Sequence, residues 1–339
     1  MPKIKKKRKE TEDLIQDFID YCSYKNLSVK TIKSYNQSLI LFAKYLQEEK
    51  NQLEITKVKK EDVEEYMEFT KERGKYSFLS SEDSLNKNYM DKRKDVGKEI
   101  SISTLNNYLR NIKVFFNWME ESNLIKFNTV SNCKFIKVQR VAKEQLSDLE
   151  FKKLIKSMDL TKYHEYRDYI IINLIFDSGM RLSETLSLTI EDIDFNRKTI
   201  YLQASVTKGK KDRVVFYSDT MSKFLKRWLR YKDTICDTAL LFPTRGSVTN
   251  LSASNFERNF KVYLKRSGIN KKITPHVLRN NFARRFLIAS QGDIYTLCKI
   301  LGHSSVTVTE KAYLDLNDED LRKSYKKYSP LENMNRGGK

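Results

Sequence analysis

The chain has 339 residues, a length that fits about two domains at roughly 100–200 residues each. Its 64 Lys and Arg outnumber 44 Asp and Glu, a net charge of +20, and a surplus of that size points to a polyanionic partner. A membrane-spanning helix needs an apolar run of roughly 18 residues or more; the run from Tyr169 to Phe176 is far shorter and is broken by Asn173, so nucleic acid is favoured over a membrane.

The N-terminus carries Lys3, Lys5, Lys6, Lys7, Arg8 and Lys9 with no apolar segment behind them. No signal peptide is expected from this segment, and residues 1–9 have two readings: a DNA-gripping arm or a solvated basic tail. Helical spacing follows. Leu14, Phe18 and Tyr21 share one face, and Ser28 precedes a second helix with Ile32, Tyr35, Leu39, Phe42 and Leu46 inward. Val63, Tyr66 and Met67 mark a third. The polar stretch 75–100 has no periodicity and is expected to be an insertion or long loop. Ser103 is expected to open a fourth helix, with Leu105, Leu109, Ile112, Phe116 and Met119 inward.

From Asn128 the pattern is irregular and basic, with Lys134, Lys137, Arg140 and Lys143, which marks 131–145 as a linker between a helical domain at 10–130 and a second domain at 146–328. Ser147 and Glu150 form a capping box at the start of that second domain. Thr199–Ala204 and Arg213–Tyr217 are predicted strands flanking the turn Lys208-Gly209-Lys210-Lys211. Helices are expected near Thr220–Arg230, Ser252–Arg266, Pro275–Ala289 and Asp293–Leu301. Residues 329–339 are a polar tail. The fold class is mainly α with a small β-sheet.

The chemistry-bearing residues cluster in this second half. Gly179 is expected to end a buried helix and turn the chain, placing Arg181 at the start of the next helix with Glu184 one turn on. Thr274 reads as an N-cap with Pro275 at the first helical position. His276 and Arg279, three residues apart, then share one helix face, where the arginine offers a planar fork to phosphate oxygens. Lys208 lies among cations that lower its pKa and improve it as a proton donor; phosphate gripping is the other reading. Thr307 and Glu310 are expected to cap a short helix bearing Tyr313. Cys22, Cys133, Cys236 and Cys298 are scattered without metal-ligand spacing, so neither a metal nor another cofactor is expected, and the thiols suit a reducing cytoplasm.

The ordered set Arg181, Lys208, His276-x-x-Arg279, His303 and Tyr313 resembles the tyrosine recombinases, the phage-integrase and Xer group. The segments SVKTIKSYNQSLILFAKYL and STLNNYLRNIKVFFNWM look like that family's helical core-binding domain, and LGHSSVTVTEKAYL is similar to its C-terminal signature. The resemblance covers about residues 11–328. It implies an all-helical core-binding domain and a mixed α/β catalytic domain that clamp DNA. It also implies site-specific cleavage and rejoining through a 3′-phosphotyrosyl intermediate, without metal or ATP.

By the same resemblance Tyr313 is the nucleophile, Arg181 and Arg279 hold the phosphate, and Lys208 is the general acid. His276 manages the tyrosine's proton, His303 donates to the phosphate, and Glu184 stands behind Arg181. Lys134, Lys137, Arg140, Lys143, Lys210 and Lys211 are candidate DNA contacts. The implied partners are a duplex core site and further copies of the chain in a synaptic tetramer, with room for an accessory factor. The implied location is the bacterial cytoplasm, beside the nucleoid. Two departures stand out: Tyr313 follows His303 by ten residues where nine is common, and the insertion at 75–100 is long. A type IB topoisomerase and a non-catalytic DNA-binding regulator are the alternatives; the helical N-domain opposes the first and the full residue set the second.

Overall fold

The computed structural model describes residues 10–79, 93–138, 144–207, 209, 211–246, 249–290, 292–303, 305–313, 322 and 325, with the backbone alone at 308 and 311–313. The chain divides into two compact units, 1–140 and 141–339. No helix of the described residues is long and apolar enough to cross a membrane.

The first unit is built on α1 (Thr11–Tyr24), α2 (Val29–Lys50), α3 (Lys60–Arg73) and α4 (Ile102–Glu121). Ser28 caps α2 by accepting from the Thr31 amide at 3.1 Å. At α4 the cap is Ser101, which accepts from the Thr104 amide at 3.3 Å. The helix therefore starts before Ser103, because the earlier serine reaches the third helical amide. The inward faces meet in an aromatic core: Phe18 lies 5.3 Å from Phe115 and 5.4 Å from Trp118, and Phe42 lies 4.9 Å from Tyr66. Tyr21, expected inside, sits at the rim, while Ile15 and Cys22 are buried. One polar cross-link pins α4 to α2: the buried Asn111 amide donates to Ser38 Oγ at 2.8 Å and to the Ser34 carbonyl at 3.2 Å.

The ends of the 75–100 segment are tied together. The Lys75 amide donates to the Lys98 carbonyl and the Gly97 amide to the Lys75 carbonyl, both at 2.8 Å. The chain from Asn128, irregular in sequence, opens with a short 3-10 helix, Thr129–Asn132. Asn128 Oδ1 accepts from the amides of Val130 and Ser131 at 3.0 and 3.1 Å. Val130 and Cys133 are buried in the first unit's core, so this turn belongs to the helical unit, and the exposed Lys134 and Lys137 follow it. Arg140 and Lys143 lie outside the described residues.

The second unit contains α5 (Asp148–Lys156), α6 (Tyr163–Ser178), α7 (Leu182–Leu186), α8 (Asp219–Asp233), α9 (Ala253–Arg266), α10 (His276–Ala289), α11 (Ile294–Leu301) and α12 (Val306–Tyr313). The predicted capping box forms: the Glu150 amide donates to Ser147 Oγ at 3.2 Å and the Ser147 amide to Glu150 Oε2 at 2.8 Å. Helix α6 buries Ile170, Ile171, Ile172, Leu174 and Ile175, which cover more than one face, as a central helix requires. It packs against α8 and α10. Trp228 of α8 fills the core and donates its indole N–H to the Leu241 carbonyl at 2.8 Å.

A three-stranded antiparallel sheet of β1 (Ile193–Asp194), β2 (Thr199–Leu202) and β3 (Arg213–Phe216), in that order, completes the unit. Ile200 and Leu202 face inward and Tyr201 outward, the period-two pattern of a half-buried strand. The register pairs Ile193 with Ile200 and Leu202 with Arg213. Strand β1 has no sequence signal of its own. It is two residues long, and its turn is made by Asp194 Oδ1, which accepts from the Asn196 and Arg197 amides at 2.9 Å each.

Candidate active site

Helix α6 ends at Gly179, whose φ of 69° and ψ of 15° put it in the left-handed region. A Cβ there would stand 2.3 Å from Phe282 Cδ1, so the close approach of α10 also demands glycine. The turn leaves Arg181 extended, at φ −76° and ψ 146°, one residue before α7. Its amide donates to Glu184 Oε2 and its Nη1 to Glu184 Oε1, both at 2.8 Å. The Arg181 side chain stays 22% exposed over a fully buried Glu184.

Glu184 has a second arginine. Arg213 Nη1 donates to Oε1 at 2.8 Å and Nη2 to Oε2 at 2.7 Å. Burial acts to raise the Glu184 pKa, but the hydrogen bonds and charge of Arg213 and the hydrogen bonds of Arg181 outweigh it and hold the carboxyl below its ordinary value. The carboxylate therefore stays ionised and orients Arg181. Arg213 was not among the residues expected at the site. Its signal was parity: it shares the inward phase of β3 with buried Val215, while Val214 and Phe216 face out, and a charge at an inward position needs a buried partner. Replacing Arg213 by Ala should cost about 1.5–3 kcal/mol, the scale for hydrogen bonds to a buried charged group, because Glu184 keeps its two bonds from Arg181. Urea unfolding measures it, and a loss comparable to that of a surface pair would contradict this account.

Arg279 and His276 enter from the start of α10. The predicted threonine cap does not form there. Pro275, with helical torsions of φ −54° and ψ −23°, occupies the cap position, and Thr274 contributes its carbonyl to the Val277 amide at 2.9 Å. His276 is exposed, whereas Arg279 is 1% exposed. Arg279 Nη1 donates to the Gly179 carbonyl at 2.6 Å, and Nη2 donates to the Leu301 carbonyl at 2.9 Å and to His303 Nε2 at 2.9 Å. Arg279 and His276 line one cleft of about 100 Å³ together with Met180, Thr274 and Pro275.

His303 follows Gly302, the left-handed cap of α11 at φ 63° and ψ 46°. Its Nδ1 lies 2.8 Å from Thr309 Oγ1. Burial, then the charges of Arg279, Arg181, Arg213 and His276, lower its pKa from 6.5 to about 4, so the imidazole is neutral at pH 7. The unfolded chain binds this proton between pH 4 and 6.5 and the folded chain does not. His303 therefore contributes a loss of stability as pH falls from 6.5 toward 4. His303→Gln should flatten that segment of the urea-midpoint profile, and an unchanged slope would contradict the burial of a neutral ring.

Helix α12 carries Tyr313 as its last residue and packs against α10 and α11. It begins at Val306, so Thr307 lies inside the helix rather than capping it. Lys208 and Lys210 lie outside the described residues. Around them, Thr207 Oγ1 donates to the Lys211 carbonyl at 2.9 Å and accepts from the Lys211 amide at 3.1 Å, closing the β2–β3 loop at its base. Lys211 itself is exposed. Arg181, Glu184, His276, Arg279 and His303 thus meet in the second unit, while Lys134 and Lys137 belong to the first. Among the described residues no group of three or more His, Cys, Asp or Glu side chains is arranged to hold a metal ion.

The phage integrase family profile matches residues 144–320, and the profile of the phage integrase N-terminal SAM-like domain matches residues 15–88. The chain belongs to the phage integrase family, the tyrosine recombinases, whose reaction is the site-specific cleavage and rejoining of DNA strands. It is similar to a tyrosine recombinase of Thermosipho africanus, 25% identical over 93% of this chain and 99% of the relative. It is also similar to tyrosine recombinase XerD of Listeria monocytogenes serotype 4b, 23% identical over 94% and 99%. The fold is that of the Tn1549 transposon integrase in complex with transposon right end DNA, at a TM-score of 0.68, 16% identity and coverage of 95% and 100%. The XerH recombinase in its post-cleavage complex with difH gives 0.67, 18%, and 93% and 84%.

Proposed function

We propose that Tyr313 is the nucleophile of strand cleavage and that Arg181 and Arg279 hold the scissile phosphate. The observation that carries this reading is the meeting of a half-buried arginine braced on buried Glu184, a buried arginine bonded to His303, and the helix that ends at Tyr313. The tyrosine oxygen attacks phosphorus, the bond to the 5′-oxygen breaks, and a 3′-phosphotyrosyl bond forms. Charge that develops on the non-bridging oxygens meets fixed cationic donors. His276 takes the tyrosine's proton, and Lys208 gives one to the leaving 5′-oxygen. Rejoining is the reverse, so the phosphodiester energy is kept in the covalent bond.

His303 must change partners to serve the phosphate. It accepts from Arg279, and donating from Nε2 requires a proton there, gained by protonation of the ring or by a change of tautomer. A phosphate anion among Arg279, Arg181 and Arg213 offsets the positive field that now opposes that proton.

Residues 10–133 and 146–328 act as two domains that clamp a duplex core site, joined through 134–145. Lys134, Lys137, Arg140, Lys143, Lys210 and Lys211 contact its backbone, and the tail 1–9 and insertion 75–100 extend that surface. Synapsis in a tetramer, an accessory factor and a place beside the bacterial nucleoid complete the reading. It is supported by the DNA-bound state of the similar XerH and Tn1549 integrase structures and by the bacterial relatives.

The test is adduct formation on nicked suicide duplexes in EDTA, tiled from DNA flanking the gene. An SDS-resistant adduct is expected. Lys208→Ala should slow it by about 10²–10⁴, the range for a general acid, and a 5′-thiol leaving group should restore the rate. Slowing without thiol rescue assigns Lys208 to phosphate gripping.

A further inference from the structure

Thr309 is fully buried on the helix that ends at Tyr313, one turn before it. Its hydroxyl oxygen faces His303 Nδ1 at 2.8 Å, while His303 Nε2 faces Arg279 Nη2 at 2.9 Å. A guanidinium has hydrogens to donate and no lone pair to offer, so Nε2 is the acceptor. A neutral imidazole that accepts at Nε2 carries its hydrogen on Nδ1, and that hydrogen is donated to Thr309. One hydrogen bond thus joins the helix of the nucleophile to the ring that meets the buried arginine.

We propose that Thr309 is a positioning residue for strand cleavage: by accepting from His303 Nδ1 it fixes the orientation of that ring against Arg279, and it sets the register of the helix that presents Tyr313. The proposal rests on the reading of Tyr313 as nucleophile. The second link is physical. Helix α12 is short, and eight residues hold little helical stability of their own. A buried hydrogen bond one turn from Tyr313 is therefore an anchor that decides where that turn sits.

Thr309→Val keeps the branched shape and removes the hydroxyl, and Thr309→Ser keeps the hydroxyl. Three readouts apply to each variant and to wild type: the ¹⁵N shifts of the His303 ring, the single-turnover adduct rate on a nicked duplex, and the duplex dissociation constant. Wild type and Thr309→Ser should show the Nδ1–H tautomer and equal rates. Thr309→Val should keep the Nδ1–H tautomer, which the Arg279 donor imposes, but lose the hydrogen-bonded Nδ1 shift and form adduct about tenfold more slowly, the worth of one hydrogen bond, with DNA affinity unchanged. A wild-type rate and a wild-type Nδ1 shift in Thr309→Val overturn the proposal, as does a Ser variant as slow as Val. If Thr309→Val does not fold, the wild-type spectrum decides: an Nε2–H ring overturns the proposal, and an Nδ1–H ring with a fully active Ser variant supports it. Adduct formation by Tyr313→Phe would overturn the nucleophile and the register claim with it, a failure distinguishable from an unchanged Nδ1 shift in Thr309→Val.

Discussion

Tyr313→Phe is expected to bind duplex DNA as wild type does and to form no covalent adduct. The substitution removes one oxygen from the end of α12 and leaves the arginines and histidines untouched. Binding of DNA by a basic protein draws on many phosphate contacts, so affinity survives. Cleavage does not, because the covalent route needs an attacking atom at that place. Deleting a covalent nucleophile costs roughly 10⁶-fold where such losses have been measured. Gel-shift titration and SDS-resistant adducts on suicide duplexes separate the two effects. A Phe variant that still forms adduct would move the nucleophile to another residue, Tyr325 or Tyr328 being the tyrosines further along the chain.

Arg279→Ala is expected to fail twice. As a donor to developing phosphate charge, its loss should slow cleavage by about 10²–10³. It is also a strut. Its guanidinium ties the Gly179 carbonyl, where α6 ends, to the Leu301 carbonyl, where α11 ends. Each buried acceptor left without a partner costs about 1–3 kcal/mol, so the variant should unfold at markedly lower urea. Arg279→Lys keeps the charge and loses the fork, and one ammonium on a flexible stem does not reproduce that geometry. It should therefore fold better than the Ala variant while cleaving slowly. An Ala variant as stable as wild type would show that the two carbonyls find other partners and that Arg279 acts on DNA alone.

Much of this arrangement was legible in the sequence, and the reasons for the rest are local. Long amphipathic helices announce themselves through repeated apolar spacing, as in Leu39, Phe42 and Leu46. Capping boxes do so only when competing residues are absent. Ser147 with Glu150 had no rival, and the cap formed. Ser103 had Ser101 two residues earlier, and the earlier serine won. Thr307 with Glu310 has the right spacing, yet α12 starts at Val306, ahead of the threonine. At Pro275 the ring's fixed torsion suits the helix entrance, so proline took the cap position from Thr274. Short elements such as β1 and the 3-10 helix after Asn128 adjoin Asx side chains that each accept from two amides, which no periodicity reports.

The site shows the same division. Residue types and order pointed to Arg181, Glu184, His276, Arg279 and His303, and the fold brings these into one unit. Glu184 behind Arg181 was legible from the spacing; the other hydrogen bonds were not, because they join different elements. Arg213 reaches Glu184 from a strand, and Thr309 reaches His303 across the turn into α12. That Arg279 is buried rather than presented on a helix face follows from the packing of α10 against α6, which the HxxR spacing alone does not contain.

The most direct test is the chemical identity of the bond to DNA. A suicide-duplex adduct, formed in EDTA and digested with nuclease and trypsin, is read by tandem mass spectrometry. The account predicts a nucleotide 3′-phosphate on Tyr313, within the tryptic peptide 312–322. The same modification on any other residue, with Tyr313 bare, would contradict it.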